Sequence, residues 1–166
     1  MPGYITKSLH KFQHPTPKRS QHSLHDWTAP AYGSRVQYSQ KEPDLPTLDP
    51  YGTQLVQSIT CTLLYYSLEV YPTMLPNLNK ISMQQSKPTA HTITKCSRLI
   101  DYKATYPNVV IHDHASDMIL HRDMYAAYPV LPKAYSLVTV HFYFSDHPLN
   151  TDTPKPKLNG PILTVF

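Results

Sequence analysis

A chain of 166 residues, 40% of them hydrophobic, can fill one ordinary domain or two small ones, with a core that is adequate but not generous. A formal charge of +4 and ten histidines make the surface mildly basic, which suits a polyanionic partner while falling short of the charge typical of dedicated nucleic-acid domains. Two cysteines make neither a disulfide framework nor a zinc site, and no apolar run approaches the ~18–20 residues that cross a bilayer.

The first element expected is a helix within 1–14, where Ile5, Leu9 and Phe12 fall on one face. Pro15 and Pro17 end it. Residues 15–50 show little periodicity and many prolines, together with polar runs such as Lys18-Arg19-Ser20-Gln21-His22, and read as an extended linker. A helical segment follows over 51–107. Its first helix begins near Thr53, carries a stripe of Val56, Ile59, Leu63 and Leu64 with Tyr66 close by, and is limited by Pro72. Its second starts near Thr73, with Leu75, Leu78 and Ile81 spaced by three, and its third near Thr89, with Ile93, Cys96, Leu99 and Ile100 on one side. Ser86-Lys87-Pro88-Thr89 leads into that third helix, and Tyr106-Pro107-Asn108 closes it. Both Cys61 and Cys96 are expected as reduced core residues.

From residue 108 the pattern changes to short β-prone runs, Val109-Val110-Ile111, Met118-Ile119-Leu120, Leu137 to Phe144 and Ile162 to Phe166, close enough in sequence to pair antiparallel. The fold class predicted is α+β: an N-terminal helix and Pro-rich linker, a helical segment, then an incomplete antiparallel sheet over 108–166. With no secretory leader and no spanning segment, the chain is expected to be intracellular, cytoplasmic or nuclear, and not membrane-bound.

Several constellations invite chemistry. His112 and His114 alternate across Asp113 and would share a face if they lay in a strand, but no third ligand stands at a recognisable spacing, so a polar bend is the expected reading. His10 and His14 have helical i, i+4 spacing without the intervening Glu of a metalloprotease helix. Asp117 lies six positions from Asp123, a span of ~20 Å along a continuous strand, and is expected to shape a turn with Ser116. No Gly-x-Ser-x-Gly elbow is present for Ser-His-Asp catalysis. Lys7, Lys11, Lys18 and Arg19, interleaved with Phe12, Trp27 and several histidines, form the candidate nucleic-acid surface, with cations on the backbone and rings against bases.

One run organises the rest: Asp117-Met118-Ile119-Leu120-His121-Arg122-Asp123-Met124-Tyr125-Ala126-Ala127-Tyr128, preceded by a Tyr-Pro turn and His-Ala-Ser-Asp and followed by an aromatic strand and Leu158-Asn159-Gly160-Pro161-Ile162. Upstream stand Gly3-Tyr4-Ile5, then Val56-Gln57-Ser58-Ile59-Thr60 to Leu63-Leu64-Tyr65-Tyr66, then Tyr71-Pro72-Thr73-Met74-Leu75. Gln84-Gln85-Ser86-Lys87-Pro88-Thr89 and Leu99-Ile100-Asp101-Tyr102-Lys103-Ala104-Thr105-Tyr106-Pro107 complete the series. In this colinear order the motifs resemble the Pol polyprotein of copia-type retrotransposons, from the thumb and connection after the reverse transcriptase palm into the start of the ribonuclease H domain.

The resemblance implies a ribonuclease H-like sheet, with Asp123 as its first metal-binding carboxylate and catalytic residue, and an RNA–DNA hybrid and the remainder of a Pol polyprotein as partners. For the complete parent it implies divalent Mg or Mn; no cofactor is expected for this chain alone. Departures from the family pattern are informative. Where members commonly carry Asp-Ser-Asp-Ala-Ser-Tyr, this chain has Asp123-Met124-Tyr125-Ala126-Ala127-Tyr128, so Tyr125 stands in place of the second acid. Thr139 and Val140 replace small residues ahead of His141-Phe142, and Cys61 replaces a glycine. No Asp-Asp pair for polymerisation exists in the chain. The expectation is a fragmentary or decayed copy, catalytically inactive alone, with residual hybrid binding. The alternatives are a non-catalytic module for nucleic acid or protein and, last, an active nuclease.

Overall fold

The computed structural model describes residues 1–25, 45–127, 137–147 and 159–165. They divide into two compact units, one built from 1–25 with 45–109 and the other from 110–127, 137–147 and 159–165.

The first unit is helical. Tyr4–Lys11 forms α1, Pro50–Glu69 α2, Leu75–Ser82 α3 and Ala90–Thr105 α4, with a short 3-10 turn at Pro72–Met74. Each start has a local cause. Asp49 caps α2 by accepting from the Gly52 amide at 2.8 Å, and Pro50 supplies the preset φ of a first helical turn. A β-carbon at Gly52 would press on Asp49 and Leu48, so the cap needs that glycine. At α4 the Thr89 amide donates to Thr92 Oγ1 at 3.1 Å.

Helical spacing then gathers the core. Val56, Ile59, Leu63 and Tyr66 of α2 meet Leu78 and Ile81 of α3, Cys96, Leu99 and Ile100 of α4, and Ile5 of α1. Burying such side chains contributes about 1.5–3 kcal/mol each relative to exposure, which is what holds helices of 8 to 20 residues that would be marginal alone. Leu64, expected on the stripe, turns outward at 38% exposure, and Tyr66 is buried in the core. Cys61 also departs from expectation: it is exposed, because its position on α2 falls between the core positions Ile59 and Leu63 on the opposite side, whereas Cys96 is buried.

The Pro-rich segment is irregular where described but tied to the helices. The Gln21 amide donates to Thr105 Oγ1, the Asn77 side chain donates to the Leu24 carbonyl, and the Leu48 amide donates to the Pro88 carbonyl. Periodicity reports local elements, whereas these are long-range bonds to an aperiodic stretch, so nothing in the local pattern announces them. The remainder of the expected linker, 26–44, lies outside the described residues.

The second unit is an open antiparallel sheet in the order β1-β2-β3, formed by Ile119–Ala127, Leu137–Ser145 and Leu163–Val165. With the helices of the first unit it makes the chain α+β with an incomplete sheet, as expected. Asp123 pairs with His141, and His141 with Thr164. Val109-Val110-Ile111 is not a strand. Val110 is exposed, and the chain that follows is held by side chains instead: the Asn159 carboxamide accepts from the His114 amide at 2.7 Å and donates to the His114 carbonyl at 3.0 Å. The Gly160 amide donates to Asp113, and a β-carbon at Gly160 would collide with the Ile111 side chain. Glycine is needed there for that approach.

Candidate functional site

Two places carry the residues singled out by sequence, one in each unit. The first is the basic surface of residues 1–25, which contain four Lys or Arg and no Asp or Glu, so the net +4 of the whole chain resides there. Lys7 and Lys11 stand one turn apart on α1, both exposed, on a helix with no acid in its first turn. The inward side of that helix is fixed by Ile5 in the core and by the Tyr4 hydroxyl donating to the Thr62 carbonyl at 3.0 Å, so the lysines are presented outward by packing. Lys18 and Arg19 are exposed in a bend farther along the same unit. Trp27 lies outside the described residues.

Lys11 leads into an open groove between α1 and α2, lined also by Phe12, Tyr51, Gln54, Leu55 and Ser58. Its Nζ donates to Thr62 Oγ1 at 3.3 Å and lies 5.1 Å from the centre of the Phe12 ring. Tyr51, in the first turn of α2, is 74% exposed. Its one signal in the sequence is a large ring beside a proline at a helix start, facing away from the Val56-Ile59-Leu63 stripe. His14, the neighbour considered as a metal ligand with His10, instead pairs with Asp101 at 2.7 Å and ties the end of α1 to α4.

The second place is the β1–β2 ladder around Asp123. Strand alternation puts His121, Asp123 and Tyr125 on one face with Thr139, His141, Tyr143 and Ser145 of β2 and Thr164 of β3. Asp123 is exposed in mid-strand, and its carboxylate accepts a hydrogen bond from the Tyr143 hydroxyl. Burial first, then the negative charge and hydrogen bond of Asp123, raise the Tyr143 pKa. The His121 ring stacks on Tyr143 at 5.5 Å, and the His141 ring bonds Thr164 Oγ1 at 2.9 Å. Asp117 sits before the strand, with its amide donating to Asp146 at 3.1 Å, while the Met118 amide reaches Ser116 Oγ at 3.4 Å. His112 and His114 lie in the irregular segment, so strand alternation does not bring them together.

A pair of divalent ions ~3.5–4 Å apart needs several carboxylates around one point. Asp123 is the only acid among the described side chains of its sheet face, and no group of three or more His, Cys, Asp or Glu among the described residues is placed to hold a metal ion. These donors do not fit a two-ion site, and no hydrolytic step follows from them.

A third feature escaped the sequence pattern. Lys103 of α4 is completely buried, with Nζ 4.8 Å from the Tyr66 ring centre and 4.5 Å from that of Tyr71, and no hydrogen-bond partner. Burial lowers its pKa from 10.5 to about 8. An amine of that pKa is a competent nucleophile in an open pocket, but a side chain with no exposed surface meets no substrate. Its signal was its place one turn beyond Leu99 and Ile100, on the buried stripe of α4.

No helix among the described residues is long and apolar enough to cross a membrane. No protein-family model, no curated protein and no solved structure matches this chain.

Proposed function

We propose that this chain is a catalytically silent piece of a copia-type Pol polyprotein, thumb and connection followed by the opening strands of ribonuclease H, and that it holds an RNA–DNA hybrid through its N-terminal surface. One observation carries the binding: all of the net positive charge lies within the first 25 residues, with Lys7 and Lys11 displayed on a helix whose other side is anchored in the core. Phosphates along a duplex are met by such a row of cations, with counterions released on contact. The family assignment is supported by the colinear motifs and by the order of helices before an antiparallel sheet whose first strand carries Asp123. Silence is supported by the company Asp123 keeps, a tyrosine hydroxyl rather than further carboxylates.

The test is a fluorescently labelled hybrid incubated with the chain and magnesium. A retarded complex with the RNA strand intact is the expected result. Hydrolysis abolished by Asp123→Asn would overturn the silent reading, and absence of any complex would overturn the binding.

A second reading, a module that binds protein, is favoured by the second sheet face. Leu120, Met124, Val138, Leu163 and Val165 are each about half exposed or more. Salt-insensitive association with no affinity for hybrid would select it.

A further inference from the structure

Resting on the hybrid-binding reading, we infer that the groove between α1 and α2 is a pocket for an unpaired nucleotide, so that this surface prefers a hybrid with a single-stranded extension to a blunt one. Three chemistries meet there. Tyr51 offers a ring that is 74% exposed at the start of α2, a position where an aromatic side chain buries little surface of its own. Gln54, one turn-face along the same helix, offers an amide with both donor and acceptor character, and Ser58 a hydroxyl. Lys11 brings a cation to the opposite wall, held near the Phe12 ring and the Thr62 hydroxyl.

That set matches what a single nucleotide displays: a flat face for stacking, polar edges, and a phosphate. A duplex alone does not use it, because paired bases present their faces to one another and not to the protein. Charge complementarity selects a nucleic acid over an apolar peptide, since the groove opens from the segment that holds the whole net charge of the chain. An acid is absent from its lining.

The experiment compares two labelled hybrids of equal duplex length, one blunt and one with a four-nucleotide single-stranded extension, titrated against the wild-type chain and against Tyr51→Ala and Tyr51→Trp. The extended hybrid should bind about tenfold more tightly, the usual worth of one base stack. Tyr51→Ala should erase that preference while leaving blunt-hybrid affinity unchanged, and Tyr51→Trp should keep it. Circular dichroism of both variants controls for folding, which an exposed side chain should not perturb. Equal affinity for the two hybrids, or a preference that survives Tyr51→Ala, overturns the pocket while leaving duplex binding intact. Failure to bind either hybrid overturns the underlying reading together with it.

Discussion

The ammonium of Lys103 lies 4.5 Å from the centre of the Tyr71 ring, with none of its side chain reaching solvent and no oxygen accepting its protons. Two opposing effects act on it. Rings attract a desolvated cation by roughly 2 kcal/mol, while removing an ammonium from water costs several. Burial alone lowers the pKa to about 8, and desolvation of several kcal/mol outweighs a ring attraction of roughly 2.

Lys103→Met should therefore stabilise the first unit. Methionine is one atom shorter than lysine, fills most of the same space beside the rings with a flexible apolar chain, and carries no charge to desolvate. A fall from 10.5 to about 8 corresponds to a penalty on the order of 3 kcal/mol near neutral pH. Urea unfolding at pH 7 should show a higher midpoint for the variant. A lower midpoint would mean that the two rings more than replace the lost water.

The same penalty has a defined pH window. Between about 8 and 10.5 the unfolded chain holds a proton on Lys103 that the folded chain has released, so stability rises with pH across that range. Cys96 acts oppositely, since burial raises its pKa from 9.0 to about 12 and the unfolded thiol ionises first. Tyr102, raised to about 12 by burial and then by its hydrogen bond to Tyr71, adds to that opposition above pH 10. The wild-type chain should thus gain stability from pH 8 to 9 and stop gaining beyond. The difference between Lys103→Met and wild type removes the thiol and phenol contributions, and it should shrink steadily from pH 8 to 10.5. A constant difference would contradict the buried ammonium.

The sheet carries its polar and apolar sides in an unusual arrangement. Thr139, Tyr143, Ser145 and Thr164, all on the Asp123 face, are buried, whereas Leu120, Met124, Leu163 and Val165 on the other face remain about half exposed or more. An uncovered apolar face binds hydrophobic dyes and promotes association. Met124→Lys combined with Leu163→Lys should lower dye fluorescence and raise solubility, with a stability change within about 0.5 kcal/mol, as for exposed positions. Undiminished dye binding would place the exposed apolar surface elsewhere.

The helices were legible because their periods are simple. Leu75, Leu78 and Ile81 repeat at three, and all are buried; Pro72 and Thr89 mark ends that the structure respects. The strand around Asp123 was legible as β but not in extent, since it runs on through Met124 to Ala127, where the alternation of apolar and polar residues is weak. Lys103 was invisible for a different reason: a pattern reading counts charged side chains as surface, and only three-dimensional packing reveals one on the buried stripe. The basic cluster was identified from residue type, yet the groove beside it was not, because Lys11 and Tyr51 are brought together by packing of α1 on α2 and not by proximity in sequence.

The measurement that bears most directly on the whole account is the salt dependence of hybrid affinity, followed by fluorescence anisotropy on the wild-type chain and on a variant with Lys7, Lys11, Lys18 and Arg19 all changed to Ala. Four cations on the phosphates of a duplex predict that log K falls with log salt at a slope of about −3.6, and that the fourfold variant loses the binding. Affinity that ignores salt, or that survives in the fourfold variant, would contradict the account.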